Sequence, residues 1–418
     1  IMGSYFLKYL VKDKLSMILN VKHNANRNNG AFPLVGSMDA AFENPFKVNQ
    51  DATTQMVDNL INASFSVNYL THRIHISSQT AYQSNYRYYK TPIDGDFSPL
   101  DIVSIQNNFG KDWNKVQVLS QEFKFSSPTA LESRFNWTAG LYGFYQYSPT
   151  KQGTHYGEDA GLFGSPIINF MNLATHTAKS MGVATYAQLG YTITTQLSAT
   201  AGFRYDYEHK KLHGFDEIIM DGMQPSPTPD FESGLKSYHA FSPKVSLKYQ
   251  PLAYSNWFAS YNKGFRAGGI NQTSSESLQF VTYKPENSNS FEIGTKNTFF
   301  KERLRVNAAV FYTSVNNAQV PTLILPEAIT VTKNAGKLRS KGAELEISAI
   351  PVKGLSIDYN LGFTDAKYTD LKLGKEEDVL NLDNNRQVFT PGYTSMLALQ
   401  YAYDLSALED IKLIGRAE

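Results

Sequence analysis

Between residues 355 and 364 every odd position is apolar and every even one is polar or glycine. Leu355, Ile357, Tyr359, Leu361 and Phe363 stand against Ser356, Asp358, Asn360, Gly362 and Thr364. Side chains on a strand alternate between its two faces, so such a run has one apolar and one polar face. The pattern recurs in Leu197, Ala199, Ala201, Phe203, Tyr205 and Tyr207, in Ile61, Ala63, Phe65, Val67 and Tyr69, and in Leu304, Val306, Ala308, Val310 and Tyr312. None of these runs has the three- and four-residue spacing of an amphipathic helix. The apolar segments come in pairs and predict strands near 3–11 and 15–26, 57–70 and 72–87, 115–127 and 132–147, and 178–193 and 195–211. Four more pairs follow, near 236–250 and 254–266, 288–300 and 303–317, 338–350 and 354–367, and 392–403 and 411–418. Within a pair the turn is short, as at Lys12-Asp13-Lys14, Pro128-Thr129, Thr194-Thr195, Pro251-Leu252-Ala253, Lys301-Glu302 and Pro351-Val352-Lys353. Between pairs the connections are long, for example Gly153 to Thr177 and Gly214 to Gly234. Compact soluble domains join their elements with about 4–6 residues, without such one-sidedness.

Short turns on one side and long loops on the other are the signature of an all-β, transmembrane, antiparallel up-and-down β-barrel. About sixteen strands are visible, more than a small barrel needs. Only a closed barrel lets a sheet cross lipid with its backbone groups paired. A soluble propeller or jelly roll also alternates, but with shorter strands and turn signals every 8–12 residues or so. Tyr205 and Tyr207 are expected near the outer rim, and Tyr69 and Tyr249 near the inner one. If short turns are periplasmic, the first strand of each pair descends and the second ascends. Composition removes other classes. Lys+Arg is 39 against Asp+Glu 38, with no block of either sign, which argues against nucleic acid. No apolar run approaches the roughly 18–20 residues of a spanning helix. The chain has no cysteine, hence no disulfide frame, thiolate metal site or cysteine nucleophile.

Three stretches carry a family resemblance. Phe258-Ala259-Ser260-Tyr261-Asn262-Lys263-Gly264-Phe265-Arg266-Ala267-Gly268-Gly269-Ile270-Asn271 is the first. Tyr283-Lys284-Pro285-Glu286 continuing through Phe291-Glu292-Ile293-Gly294-Thr295-Lys296 is the second. The third is Asn334-Ala335-Gly336 with Lys341-Gly342-Ala343-Glu344-Leu345-Glu346. In order and spacing they resemble the barrel of TonB-dependent outer-membrane receptors. Gln121 to Ser127 also looks like a recurrent strand of that family. The resemblance implies a barrel of about 22 strands, an even number as such barrels have. It also implies an N-terminal plug, a TonB box, and a Gram-negative outer membrane as location. On that count residues 1–418 form a partial outer-membrane β-barrel domain whose plug and last strands lie outside the sequence. The implied partners are the TonB-ExbB-ExbD complex acting through the plug, outer-membrane lipid and lipopolysaccharide, and a small solute.

The resemblance makes Gly264, Pro285, Glu286, Glu292, Gly294, Lys296, Gly336, Lys341, Gly342, Glu344 and Glu346 structural motif positions. Alternation turns Glu292, Glu344 and Glu346 inward, where pairing with basic or plug groups is favoured over chemistry. The glycines are expected to give clearance or relieve curvature. Candidate solute contacts on the loop side are Arg266, Asn271, Trp113, His155, Tyr156 and His213, the histidines being also readable as solvated loop residues. Arg266 shares the inward parity of Ser260, Asn262 and Gly264, and its planar fork suits an anionic ligand. No catalytic residue, cofactor or metal site is assigned. Asp94-Gly95-Asp96 lacks the rest of a calcium loop. His72 and His75 fall on opposite faces of the expected strand. The resemblance points to active import, most of all of a ferric siderophore or other iron chelate. Haem is disfavoured, since no His lies between Arg266 and Glu292. Carbohydrate or cobalamin import, or a passive porin or surface-binding barrel, are the alternatives.

Overall fold

The computed structural model describes residues 1–29, 38–45, 47, 50–128, 133–227, 235–271, 282–324, 329–334, 336–373, 380–405 and 412–418. Sixteen strands among them build one continuous wall, and short loop strands, among them the separate hairpin of Gln319–Ile324 with Ile329–Asn334, lie outside that count. The wall strands are β1 (Met2–Val11), β2 (Leu15–Asn29), β3 (Gln55–Leu70), β4 (His75–Tyr89), β5 (Lys115–Ser126), β6 (Phe135–Tyr156), β7 (Phe170–Thr192) and β8 (Leu197–Met220). Then come β9 (Lys236–Leu252), β10 (Ser255–Arg266), β11 (Glu286–Phe299), β12 (Leu304–Asn316), β13 (Lys337–Ala349), β14 (Leu355–Tyr368), β15 (Tyr393–Asp404) and β16 (Lys412–Ala417). Each pairs antiparallel with its neighbours in sequence. The result is one up-and-down sheet, to which the short loop strands Ile93–Asp94, Val103–Gln106 and Ser226–Pro227 add at the long-loop side. Among the described residues no pairing joins β1 to β16.

The sheet has the two faces that the alternation demands. Leu141, Val183, Phe203, Val245 and Ile293 stand on one face and are exposed, Ile293 by 59%. Glu122, Arg204, Asn262 and Glu346 hold the alternate positions. An exposed apolar band of this extent has no place in water. Among the described residues the one buried apolar cluster, Tyr368 with Leu371, lies at the loop end of the wall. Buried apolar residues gather on the long-loop side, as Ile93, Ile102, Val103 and Ile105, and as Val315, Ala318, Val331 and Leu371.

All sixteen strands expected from the alternation are present; their ends differ in instructive ways. The expected strand at 72–87 begins only at His75, because residues 71–74 form a turn. Thr71 Oγ1 accepts the N–H groups of Arg73 at 3.2 Å and Ile74 at 3.0 Å, and its hydroxyl donates to the Ile74 carbonyl. His72 therefore lies in that turn and not on a strand. β6, β7 and β8 run for 22, 23 and 24 residues, well into stretches expected to be loop. Crossing takes only about 9–11 residues. The surplus rises as a three-stranded wall, capped by a 3₁₀ turn at Glu158–Phe163. There lipid no longer selects every second residue, and packing buries positions of both parities, such as Thr175 and His176, so the apolar alternation fades while the pairing continues. The expected Pro128-Thr129 turn and Ala335 of the third motif extend beyond the described residues, as does the start of the 411–418 strand.

Candidate functional site

At the loop ends of β10 to β13 the three motifs meet. Arg266 faces Glu286 across the β10–β11 ladder. The Glu286 carboxylate accepts the backbone N–H of Gln319 at 2.7 Å. Gln319 is buried, and its Nε2 donates to the carbonyls of Ala267 at 2.9 Å and Lys284 at 3.1 Å. Asn334 Oδ1 accepts from Lys284 N–H at 2.6 Å, while its Nδ2 donates to the carbonyls of Lys284 and Asn317. Gly336 sits at φ 55, and a Cβ there would collide with the Asp370 carbonyl. Asn271 is buried with its amide bridged to both backbone groups of Thr332, at 3.0 and 2.8 Å. These residues tie four loop stems into one buttress. Asn271, taken from the sequence as a solute contact, is therefore held as a latch. Arg266 is exposed above this knot. The Tyr283 phenol beside it is pushed up by burial, against the pull of the guanidinium. Lys210 reaches in from β8, donating to the Gly268 carbonyl at 2.8 Å and lying 3.5 Å from Glu208.

Lower on the same polar face, four strands contribute to a recess of about 200 Å³ lined by Gln79, Ser120, Glu122, Tyr142 and Arg204. The Arg204 guanidinium forks onto Asp206, with Nε 2.9 and 3.0 Å from its two oxygens. It lies 5.4 Å from the Tyr142 ring and 6.0 Å from that of Tyr186, whose hydroxyl donates to Glu122 at 2.8 Å. Sequence reasoning missed this cluster. Alternation marks each member as polar-face, but they are scattered over residues 79–206 and only the register unites them. The motif glycines explain themselves here. Phe258 lies over cross-strand Gly294, and Phe311 over cross-strand Gly342. A Cβ at Gly294 would fall 2.5 Å from the Phe258 ring, and one at Gly342 would fall 2.6 Å from that of Phe311. Tyr186 over Gly140 and Phe144 over Gly182 repeat the arrangement. Lys296 caps the Phe258 ring at 5.9 Å. Glu346 accepts from Asn307 Nδ2 at 3.0 Å. Lys341 stands on the apolar-face parity instead, 3.9 Å from Asp365.

The remaining candidates do not converge on Arg266. Trp113 packs with Phe109 around Lys151, whose ammonium lies 5.7 and 5.4 Å from the two rings. Lys151 shares the parity of Leu141 and Tyr145, so this cluster stands on the outer side of the tall wall. His155 also has that parity and lies 3.5 Å from Asp221. Tyr156 points the other way and stacks on Phe170 at 4.7 Å. His213 is exposed on the outer parity of β8. Its row crosses β6 at Pro149, six residues and about 20 Å from His155. On the inner parity, unforeseen, His176 is buried with Nε2 3.1 Å from Asp216. Asp94 and Asp96 fold their own loop. Asp94 Oδ1 accepts from Asp96 and Phe97 N–H, and Asp96 Oδ2 from Val103 N–H. Among the described residues no three acidic or histidine groups are placed to hold a metal ion.

The profile of the TonB dependent receptor-like β-barrel family matches residues 13–415. The chain belongs to that family. Solved structures agree in fold. The ferric yersiniabactin uptake receptor FyuA from Yersinia pestis superposes with a TM-score of 0.73 at 16% identity, over 99% of this chain and 58% of its own. The siderophore receptor PiuA from Acinetobacter baumannii gives 0.66 at 14% identity, over 96% and 62%. The copper transporter OprC gives 0.60 at 11%, over 96% and 56%. The chain thus spans about three fifths of the length of the receptors it matches. For a TonB-dependent receptor barrel, the apolar face meets lipid and the polar face lines the lumen. The motif buttress then sits at the loop-side mouth, and the Arg204 recess lies in the lumen wall.

Proposed function

We propose that the chain forms the lumen wall and loop-side mouth of an outer-membrane active importer for an iron chelate, most of all a ferric siderophore. Membership of the TonB-dependent receptor family carries the reading. It supports energy coupling through TonB, ExbB and ExbD acting on a plug. A wide barrel leaves an aqueous channel unless it is plugged, and a plug needs an external pull to open. Structural relatives named for ferric yersiniabactin and for a siderophore support the substrate class. Arg266, exposed at the mouth beside Tyr283, supplies a fixed cation with a fork suited to carboxylate or catecholate oxygens.

The test is iron-limited growth on a panel of ferric chelates, in cells whose only chelate receptor is the full-length protein. Growth on at least one chelate should need both the receptor and TonB. Arg266→Ala should raise the chelate concentration needed for half-maximal uptake, by about tenfold for one lost charged contact. Uptake that persists without TonB would indicate a passive pore. TonB-dependent uptake of a sugar or cobalamin, with none of any chelate, would replace the substrate class.

A further inference from the structure

Arg266 ends β10, and Glu286, which opens β11, stands directly opposite it on the same face of the wall. Residues so placed on an antiparallel ladder have Cβ atoms about 4.5–5.5 Å apart, and opposite charges there attract. The pair does not form. Among the described residues no carboxylate is joined to the Arg266 guanidinium. The Glu286 carboxylate accepts the backbone N–H of Gln319 at 2.7 Å instead. Its charge bears on the Tyr368 phenol at the end of β14, which burial first and then Glu286 push up. Arg266 bears on a different phenol, that of Tyr283. The other carboxylate that acts on Tyr283 is Glu208, and it lies 3.5 Å from the Lys210 ammonium. Both acidic groups at this corner are therefore engaged away from Arg266.

Glu286 meets the Gln319 N–H because the rest of Gln319 is pinned. Its side chain is buried, and Nε2 donates to the carbonyls of Ala267 at 2.9 Å and Lys284 at 3.1 Å. A glutamine amide has two N–H donors, and here both are used. They grip the residue that follows Arg266 and the residue two before Glu286, so one side chain sets the separation of the two stems. Asn334, opposite Gln319 in the hairpin, accepts from the Lys284 N–H at 2.6 Å. Asn271 fastens the same hairpin at Thr332. A leucine at 319 would supply neither donor, and the buried carbonyls it faced would favour any shift that let them find other partners.

Building on the reading of Arg266 as a solute contact, we infer that Gln319 is a positioning residue for capture. It holds Glu286 away from Arg266 and so leaves the guanidinium fork open to an anionic oxygen of the solute. An arginine paired with Glu286 offers a solute no net charge, and that pair must break before the fork can turn outward. An exposed arginine without an internal counter-ion gives up only water.

The experiment follows uptake of radioactive iron by cells whose only chelate receptor is the full-length protein. The iron is loaded on a tricatecholate, a trihydroxamate and citrate. Half-saturating concentration and maximal rate are read separately, at equal receptor density on the surface. Gln319→Leu should raise the half-saturating concentration by about three- to sixfold, since an exposed ion pair of equilibrium constant about 2–5 leaves only that share of receptors with Arg266 unpaired. The maximal rate should not change. Adding Glu286→Gln to Gln319→Leu should restore the half-saturating concentration to within about twofold of the unmodified receptor, because a neutral amide cannot cancel the guanidinium. In an Arg266→Ala background, Gln319→Leu should add nothing, as coupled residues require. Gln319→Asn, one methylene shorter, should give a smaller rise, and it serves if Gln319→Leu does not reach the surface. No rise in the variant that does reach the surface would overturn the inference. So would a rise that Glu286→Gln does not reverse, which is what a loosened loop alone would give. If Arg266→Ala leaves the half-saturating concentration unchanged, or if none of the three chelates is imported, the reading of Arg266 as a chelate contact falls and this inference with it. A rise in Arg266→Ala with none in Gln319→Leu removes the inference alone.

Discussion

Single residues on the lumen face are governed by what lies across the ladder. Gly294 is where the Phe258 ring rests, and the Ala308 carbonyl lies 2.8 Å from where a Cβ would be. Gly294→Ala should therefore destabilise the folded barrel by about 1–3 kcal/mol, the usual cost of overpacking. Urea unfolding in detergent checks this. Adding Phe258→Leu should recover part of the loss but not all, because the backbone carbonyl stays; no recovery would mean that the ring is not what the glycine accommodates. Asp94 belongs to the loop side, where it is 2% exposed. Burial first, and then the neighbouring Asp96 and Asp51 carboxylates, hold its pKa above the ordinary 3.8, against the pull of two backbone N–H groups. Asp51 is raised likewise, by burial and then by Asp96 and Asp101. A raised acid stabilises the fold fully below the ordinary value and loses that contribution as pH rises through the raised one. Amide protection of the 93–106 loop, corrected for intrinsic exchange, should thus fall as pH climbs above 3.8. Asp94→Asn keeps the acceptor for Asp96 and Phe97, so it should reduce that slope; an unchanged slope would put the cause elsewhere.

At the scale of elements, lipid and water between them decide what a sequence can reveal. Where a strand separates the two, the medium selects every second residue. Leu355 to Thr364 was accordingly legible without coordinates, as were the other fifteen strands in outline. Above the bilayer that selection stops, which is why β6 to β8 reach Tyr156, Phe170 and Met220 unannounced. The buttress was half legible. Pro285, Glu286 and Gly336 stood out as a pattern, but not that Glu286 would cap Gln319. Nor was it evident that Asn271 would span 61 residues to Thr332, since such pairings depend on loop paths. Short turns hold a further surprise. Phe300, Lys301 and Glu302 all take positive φ, at 54, 54 and 70. Each left-handed residue with a side chain costs about 1–2 kcal/mol. Lys301→Gly should relieve one of them and raise hairpin stability by about 1 kcal/mol, even after the glycine's larger unfolded-state entropy. A lower urea midpoint for this variant would show that the Lys301 side chain has a compensating contact in the membrane-bound protein.

For the whole molecule, the decisive quantity is the edge of the sheet. β1 is paired on one side by β2, and β16 on one side by β15, among the described residues. An open edge in hydrocarbon leaves a row of N–H and C=O groups unsatisfied, each costing several kcal/mol. A few such groups exceed the whole stability of a typical domain, about 5–15 kcal/mol. The edges must therefore close, either on each other or on further strands. Closure at sixteen would set β1 beside β16 and fix the shear by that one pairing. Closure through further strands agrees with the receptors in which this chain spans about three fifths of the length, and it is the expected outcome. Residues 1–418 contain no cysteine, so each engineered pair supplies the only thiols within this stretch. A disulfide needs Cα atoms about 4.4–6.8 Å apart. In the full-length receptor, Tyr403→Cys with Leu413→Cys should link, since these residues face each other across β15 and β16. Leu413→Cys combined with cysteine at any position from Leu7 to Val11 should not link, because intervening strands, each about 4.8 Å wide, would hold the two apart. A link in the second set, with the first as control, would mean that the barrel closes on these sixteen strands and that the remaining length of the receptor lies outside the wall.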